Sequence, residues 1–146
     1  MPELLKAAKS GVFRWIGDGH YLTSTCHVTN VCEGIVLAAE KGVGGQAYFL
    51  TDGPDVDARD FLTELAATQG GDLGDKTVPY LVAKVAAKSI DSLWRTLRIR
   101  RDPPVTWTAF ALAGHEVTVD DSKARRELGY REVVTRSEGL ELLRQG

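Results

Sequence analysis

The stretch from Asn30 to Gly53 restricts the fold most. Ala47-Tyr48-Phe49-Leu50 is an unbroken apolar run set between a glycine-rich turn and Thr51-Asp52-Gly53. A run this short, with no polar face, predicts a strand buried on both sides in a parallel sheet. Ahead of it Val31, Ile35, Ala38 and Ala39 recur at helical spacing, and Gly42 to Gly45 ends the helix. Asn30 and Glu33 stand at capping-box spacing, although Ser or Thr is the usual cap. A helix feeding such a strand is half of a βαβ unit, so the chain is predicted to be α/β.

The remaining elements follow from local signals. Leu4, Leu5 and Ala8 predict a helix ended by Ser10-Gly11, so the chain opens inside a helix with no strand or glycine turn ahead. Phe13 to Ile16 and Leu22 to Val28 read as short strands around Gly17-Asp18-Gly19. Asp57 caps a helix bearing Phe61, Leu62, Leu65 and Ala66, which Gly70-Gly71 stops. Pro79 opens a helix of about five turns. Its Leu81, Val82, Val85, Ala86, Ile90, Leu93, Trp94 and Leu97 form one broad apolar face. Asp102-Pro103-Pro104 forces an extended break, followed by the apolar segment Thr106 to Ala113. Glu116 to Val119 is a candidate strand, Asp121 to Leu128 a helix ended by Gly129, and Thr135 with Glu138 a capping box for the last helix. The expectation is a single lobe, residues 1–146, of few short strands and about six helices.

Charge and cysteine usage exclude several functions. With 43% apolar and 26% charged residues the chain has an ordinary globular balance, and a net charge of -2 gives no electrostatic reason to expect nucleic acid or an anionic membrane. Arg95, Arg98, Arg100 and Arg101 are read as a solvated helix end. The absence of a secretory leader and of a membrane-spanning run predicts a cytoplasmic protein. Cys26 and Cys32 are then free thiols, read as small buried hydrophobes.

No cofactor or metal motif is complete. A dinucleotide site needs G-x-G-x-x-G after a strand and opening a helix. Gly17-Asp18-Gly19 runs between strands, and Gly42-Val43-Gly44-Gly45 follows a helix, so both read as turns. His20, Cys26, His27 and Cys32 include metal-ligand types, but their spacing fits no paired zinc pattern, and no metal site is expected. There is no G-x-S-x-G elbow for a nucleophilic serine.

Three segments carry a family resemblance: Phe13-Arg14-Trp15-Ile16-Gly17-Asp18-Gly19, then Thr25-Cys26-His27-Val28-Thr29-Asn30-Val31, then Ala47-Tyr48-Phe49-Leu50-Thr51-Asp52-Gly53. With Ala124-Arg125-Arg126-Glu127-Leu128-Gly129-Tyr130 and the closing helix, the chain resembles the C-terminal half of the extended short-chain dehydrogenase/reductase family. That family includes NAD-dependent epimerases, dehydratases and 3β-hydroxysteroid dehydrogenases. The resemblance implies a Rossmann-type fold, NAD or NADP as cofactor of the intact protein, and a missing N-terminal half that holds the cofactor. None is expected to bind this chain alone.

The family's catalytic Tyr and Lys are four residues apart on one helix, a spacing that Tyr80 and Lys84 match. In the family the pair precedes the segment resembling Phe13 to Val31, whereas Tyr80 follows it. Tyr80 and Lys84 are therefore read as a decoy, and no catalytic residue is assigned. Where sugar-nucleotide members carry a phosphate-gripping Arg, this chain has Thr23. The resemblance then implies an apolar, sterol-like or flavonoid-like alcohol or carbonyl, lined by Trp15, His20, Thr23 and Thr25; a core role for Trp15 stays open. Glu132 stands where the family commonly has Pro. Two readings follow: the substrate-binding half of an NAD(P)-dependent oxidoreductase or epimerase, inactive alone, or a non-catalytic chain that is a free-standing binding or interaction module or a truncated gene product. Either way, an uncovered apolar strand predicts a sticky chain that forms homo-oligomers.

Overall fold

The computed structural model describes residues 2–96 and 114–145. Six helices are described: α1 (Pro2–Lys9), α2 (Val28–Lys41), α3 (Ala58–Ala67), α4 (Tyr80–Thr96), α5 (Ser122–Leu128) and α6 (Arg136–Gln145). The strands are short: β1 (Trp15–Ile16), β2 (Leu22–Thr23), β3 (Val56–Asp57) and β4 (Thr77–Val78). β1 and β4 pair in parallel with Trp15 opposite Thr77, while β2 and β3 pair antiparallel with Leu22 opposite Asp57. Val117 adds a parallel bridge to Thr23, which is all that forms of the strand expected at Glu116 to Val119.

Most boundaries obey the local signals. Asp57 Oδ1 accepts from the Asp60 amide at 3.0 Å, a side-chain N-cap for α3. Gly129 ends α5 with φ 71°, a left-handed conformation that costs glycine little. Thr135 and Glu138 exchange bonds as a capping box, with the Thr135 amide 2.8 Å from Glu138 Oε2 and the Glu138 amide 3.3 Å from Thr135 Oγ1.

Among the described residues the core forms two clusters. Ala8, Trp15, Ala66 and Leu73 form one cluster, with Phe13 and Leu62 against it. Ala124, Leu128 and Tyr130 form the other, packed by Leu37, Ala38, Tyr48 and Leu50. Full burial of a side chain such as Leu128 stabilises the fold by about 2 kcal/mol.

Three expectations are corrected. First, Ala47 to Leu50 is not a strand buried on both faces: among the described residues it pairs with no other strand. Tyr48 and Leu50 turn to the second cluster while Phe49 is 59% exposed, so alternation leaves one face uncovered. Second, α2 starts at Val28, not at Asn30, and most of the predicted stripe faces outward, with Val31 and Ala39 exposed and Ile35 63% exposed, while Ala38 alone of the four packs against the second cluster. The inward face carries Asn30, Gly34 and Leu37 with Ala38, because a bare Gly34 lets Leu50 approach the helix backbone where a Cβ would collide. Third, Leu81, Val82 and Val85 of α4 are exposed, Leu81 at 72%. The side chains of Ile90, Leu93 and Trp94, Leu97, the arginine cluster, Asp102-Pro103-Pro104 and the segment Thr106 to Ala113 lie outside the described residues.

Candidate functional site

The two small sheets meet around residues 17 to 28, and polar side chains gather there. Gly19 has φ 80° and sits against the Trp15 ring, a turn that lets His20 face Asp57. His20 Nδ1 lies 2.9 Å from Asp57 Oδ2, and both side chains are partly open to solvent. Burial works against the Asp57 carboxylate, yet the Asp60 amide and His20 outweigh it and hold its pKa below the ordinary value. Tyr21 donates to the Ile16 carbonyl at 3.3 Å. Burial, then the charge of Asp18 and the neighbouring Tyr80, raise the Tyr21 pKa, so it stays a neutral phenol. Tyr80 Oη lies 2.9 Å from His115 Nε2, with the two rings edge to face at 5.4 Å.

A second polar centre anchors the start of α2. His27 is its N-cap, with Nδ1 3.2 Å from the Thr29 amide as acceptor. Asp52 Oδ1 accepts from the His27 amide at 2.7 Å and from Asn30 Nδ2 at 2.6 Å. Asn30 Oδ1 in turn accepts from the Val133 and Val134 amides. Burial first, and Asp52 second, push the Cys26 thiol up, which suits a packed thiol and not a nucleophile. Cys26 is half-buried and Cys32 is exposed on α2, which corrects the reading of both cysteines as buried.

The residues expected to line a substrate are placed differently from one another. Trp15 is 4% exposed, and its Nε1 donates to the Gly74 carbonyl at 2.8 Å, which makes it a core residue of the first cluster. His20 and Thr23 lie on the sheet junction, His20 exposed and Thr23 half-buried. Thr25 Oγ1 accepts from Arg136 Nε at 2.9 Å and lines a separate cavity between α3 and α6. Lys84 Nζ stands 5.8 Å from the centre of the Tyr80 ring, so their spacing does bring the two together. Among the described residues, His20, Cys26, His27 and Cys32 do not converge; the ligand-type atoms that do are those of His20, Asp57 and Asp60, within 4.8 Å of one another.

Sequence reasoning missed three residues. Asn30 was readable only as a cap, since its partners Val133 and Val134 are more than a hundred residues away. His115 and Arg136 carry no local motif at all. Glu132, the departure from the family's usual Pro, binds Arg125 Nη1 at 2.9 Å and thereby joins Arg125 and Asp121 in one ion network.

No family-level sequence profile matches this chain. Individual relatives do. Over 145 residues, 99% of the chain, it is 51% identical to the 4-hydroxy-2-methyl-3-oxo-4-farnesyl-3,4-dihydroquinoline-1-oxide ketoreductase of Stigmatella aurantiaca. It is 30% identical, over 88% of its length, to a decarboxylating sterol-4-alpha-carboxylate 3-dehydrogenase of Dictyostelium discoideum. The chain belongs to the extended short-chain dehydrogenase/reductase family. It spans 43% and 40% of the lengths of these two short-chain dehydrogenase/reductase relatives and corresponds to their C-terminal part. The family's fold is shared by the dTDP-glucose 4,6-dehydratase of Bacillus anthracis in complex with NAD. That structure matches 99% of this chain with a TM-score of 0.56 at 17% identity, the match spanning 37% of the dehydratase.

Proposed function

We propose that residues 1–146 form the substrate-binding lobe of an NAD(P)-dependent oxidoreductase. Its substrate is an apolar, sterol-like or flavonoid-like alcohol or carbonyl. The observation that carries this reading is uncovered apolar surface in two places, Val28, Val31 and Ile35 on α2 and Phe49 on the extended run. A dinucleotide-binding half, of the kind that would account for the greater length of the relatives, covers that face and pairs with the extended run at Ala47 to Leu50.

In this reading the cofactor and the acid–base pair come from the other half, and the present chain binds and orients substrate. His20 and Thr23 offer an imidazole and a hydroxyl at the sheet junction, with Tyr80 and His115 near Tyr21. Thr23 gives no guanidinium for a phosphate, which fits an uncharged substrate better than a nucleotide sugar. Both named relatives act on lipid-like molecules by their names, a farnesylated quinoline oxide and a sterol carboxylate.

The test joins this chain to the N-terminal remainder of the Stigmatella aurantiaca relative. NADH and NADPH binding is measured by calorimetry on the fusion and on the 146-residue chain. Saturable binding by the fusion alone, with turnover of the farnesylated quinoline oxide ketone, is the expected result. Micromolar binding by the chain alone would overturn the division of labour and return Tyr80 and Lys84 as candidates.

A further inference from the structure

On the α3–α6 side lies a cavity of about 260 Å³, just below the roughly 300–1,000 Å³ of ordinary small-molecule sites. Its apolar walls are Phe61 and Leu65 from α3 with Leu140 and Leu143 from α6. The two helices are tied at one end, where Gln69 Nε2 donates to the Leu143 carbonyl at 2.6 Å and Arg144 meets Glu64 at 3.4 Å. They stay apart beside Thr25 and Arg136, so the cavity opens there onto a cationic rim.

Arg136 distinguishes this cavity. Its guanidinium is half-buried and held in place by two neutral acceptors, Thr25 Oγ1 at 2.9 Å and the Pro54 carbonyl at 2.6 Å. Among the described residues no carboxylate lies within ion-pair distance of it, whereas Arg59, Arg125, Arg126 and Arg144 each have an acidic partner within 4 Å. A fixed, partly desolvated guanidinium without a counter-ion favours an incoming carboxylate, which it can engage through a fork of parallel N–H donors. The other charged lining group, Asp52, spends Oδ1 on the His27 amide and Asn30 Nδ2, so its charge is already met by donors of this chain.

We propose that this cavity binds a small monocarboxylate with an apolar tail, the carboxylate on Arg136 and the tail between α3 and α6. The site lies apart from the sheet junction and takes no part in the proposed oxidoreduction, although it shares Val28 with the surface assigned to the dinucleotide-binding half.

Octanoate and octanol form a matched pair of probes, titrated by calorimetry into the 146-residue chain. Octanoate is expected to bind saturably and about tenfold tighter than octanol. Arg136→Gln should abolish that preference while leaving octanol unchanged, Arg136→Lys should keep part of it, and Leu140→Trp should block both probes. Equal binding of the two probes by the unaltered chain, or no binding of either, overturns the proposal whatever the variants do. Retention of the full preference in Arg136→Gln, with circular dichroism showing a folded chain, overturns it as well.

Discussion

Asn30 Nδ2 lies 2.6 Å from Asp52 Oδ1, and the same nitrogen reaches the Val134 carbonyl at 2.7 Å. One fully buried amide thus joins the first turn of α2, the end of the extended run and the loop entering α6. Four of its hydrogen bonds are made to groups that no other side chain replaces.

Asn30→Ala should therefore cost about 3 kcal/mol, since it strands two backbone amides and leaves a buried carboxylate with the His27 amide in place of two donors. Urea unfolding of the two chains measures the difference. A loss below about 1 kcal/mol would show that water takes over the amide's bonds.

Gly19→Ala should destabilise by about 2 kcal/mol or more. Two costs add: a methyl group 2.7 Å from Trp15 Cε3, and a φ of 80° that alanine adopts poorly. Thermal melting reads the result, and Gly44→Ala, where no heavy atom lies within 4 Å and φ is not positive, is the control expected to stay near wild type.

Acid should weaken the chain through the Arg125 network. Burial alone would raise the pKa of Asp121, but hydrogen bonds from Arg125 and Thr51 lower it, and Arg125 similarly helps a backbone amide lower that of Glu132. Folded values below the unfolded ones of about 4 mean stability that is complete above that pH and lost as pH falls through the folded values. The urea midpoint should stay level from pH 7 to about pH 5 and drop below about pH 4. Arg125→Gln should flatten that drop; an unchanged acid limb would locate it elsewhere.

Ile35→Ser should leave stability within about 0.5 kcal/mol of wild type, because Ile35 is already 63% exposed. It should also reduce the self-association expected of an open α2 face. Sedimentation velocity decides: identical association in both chains would count against that face as the sticky one.

Local chemistry was legible from one segment at a time. The caps at Asp57, Gly129 and Thr135 depend on residues within a few places of each other, and each appears where its signal stands, while α2 starts ahead of the Asn30 signal. The face a helix buries is a different matter. Val31, Ile35 and Ala39 read as core because they recur at the right period, yet period says which residues share a face and nothing about what that face meets. The candidate site was half legible for the same reason. His20, Thr23 and Thr25 come from one segment that the family resemblance singles out, whereas Asp57 and His115 reach the sheet junction, and Arg136 the separate cavity at Thr25, from elsewhere in the chain.

By itself the amino-acid sequence determined the family, the α/β class, most of the helix ends and the lack of a phosphate-binding turn, since all of these are written in contiguous residues. The tertiary structure alone decided that Asn30 is a buried junction and not a cap, that Trp15 is core, that α2 turns Gly34 inward, and that Arg136 fronts an apolar cavity without a counter-ion. Each of these rests on contacts between residues distant in sequence, and such contacts depend on which surfaces the rest of the fold leaves to be covered.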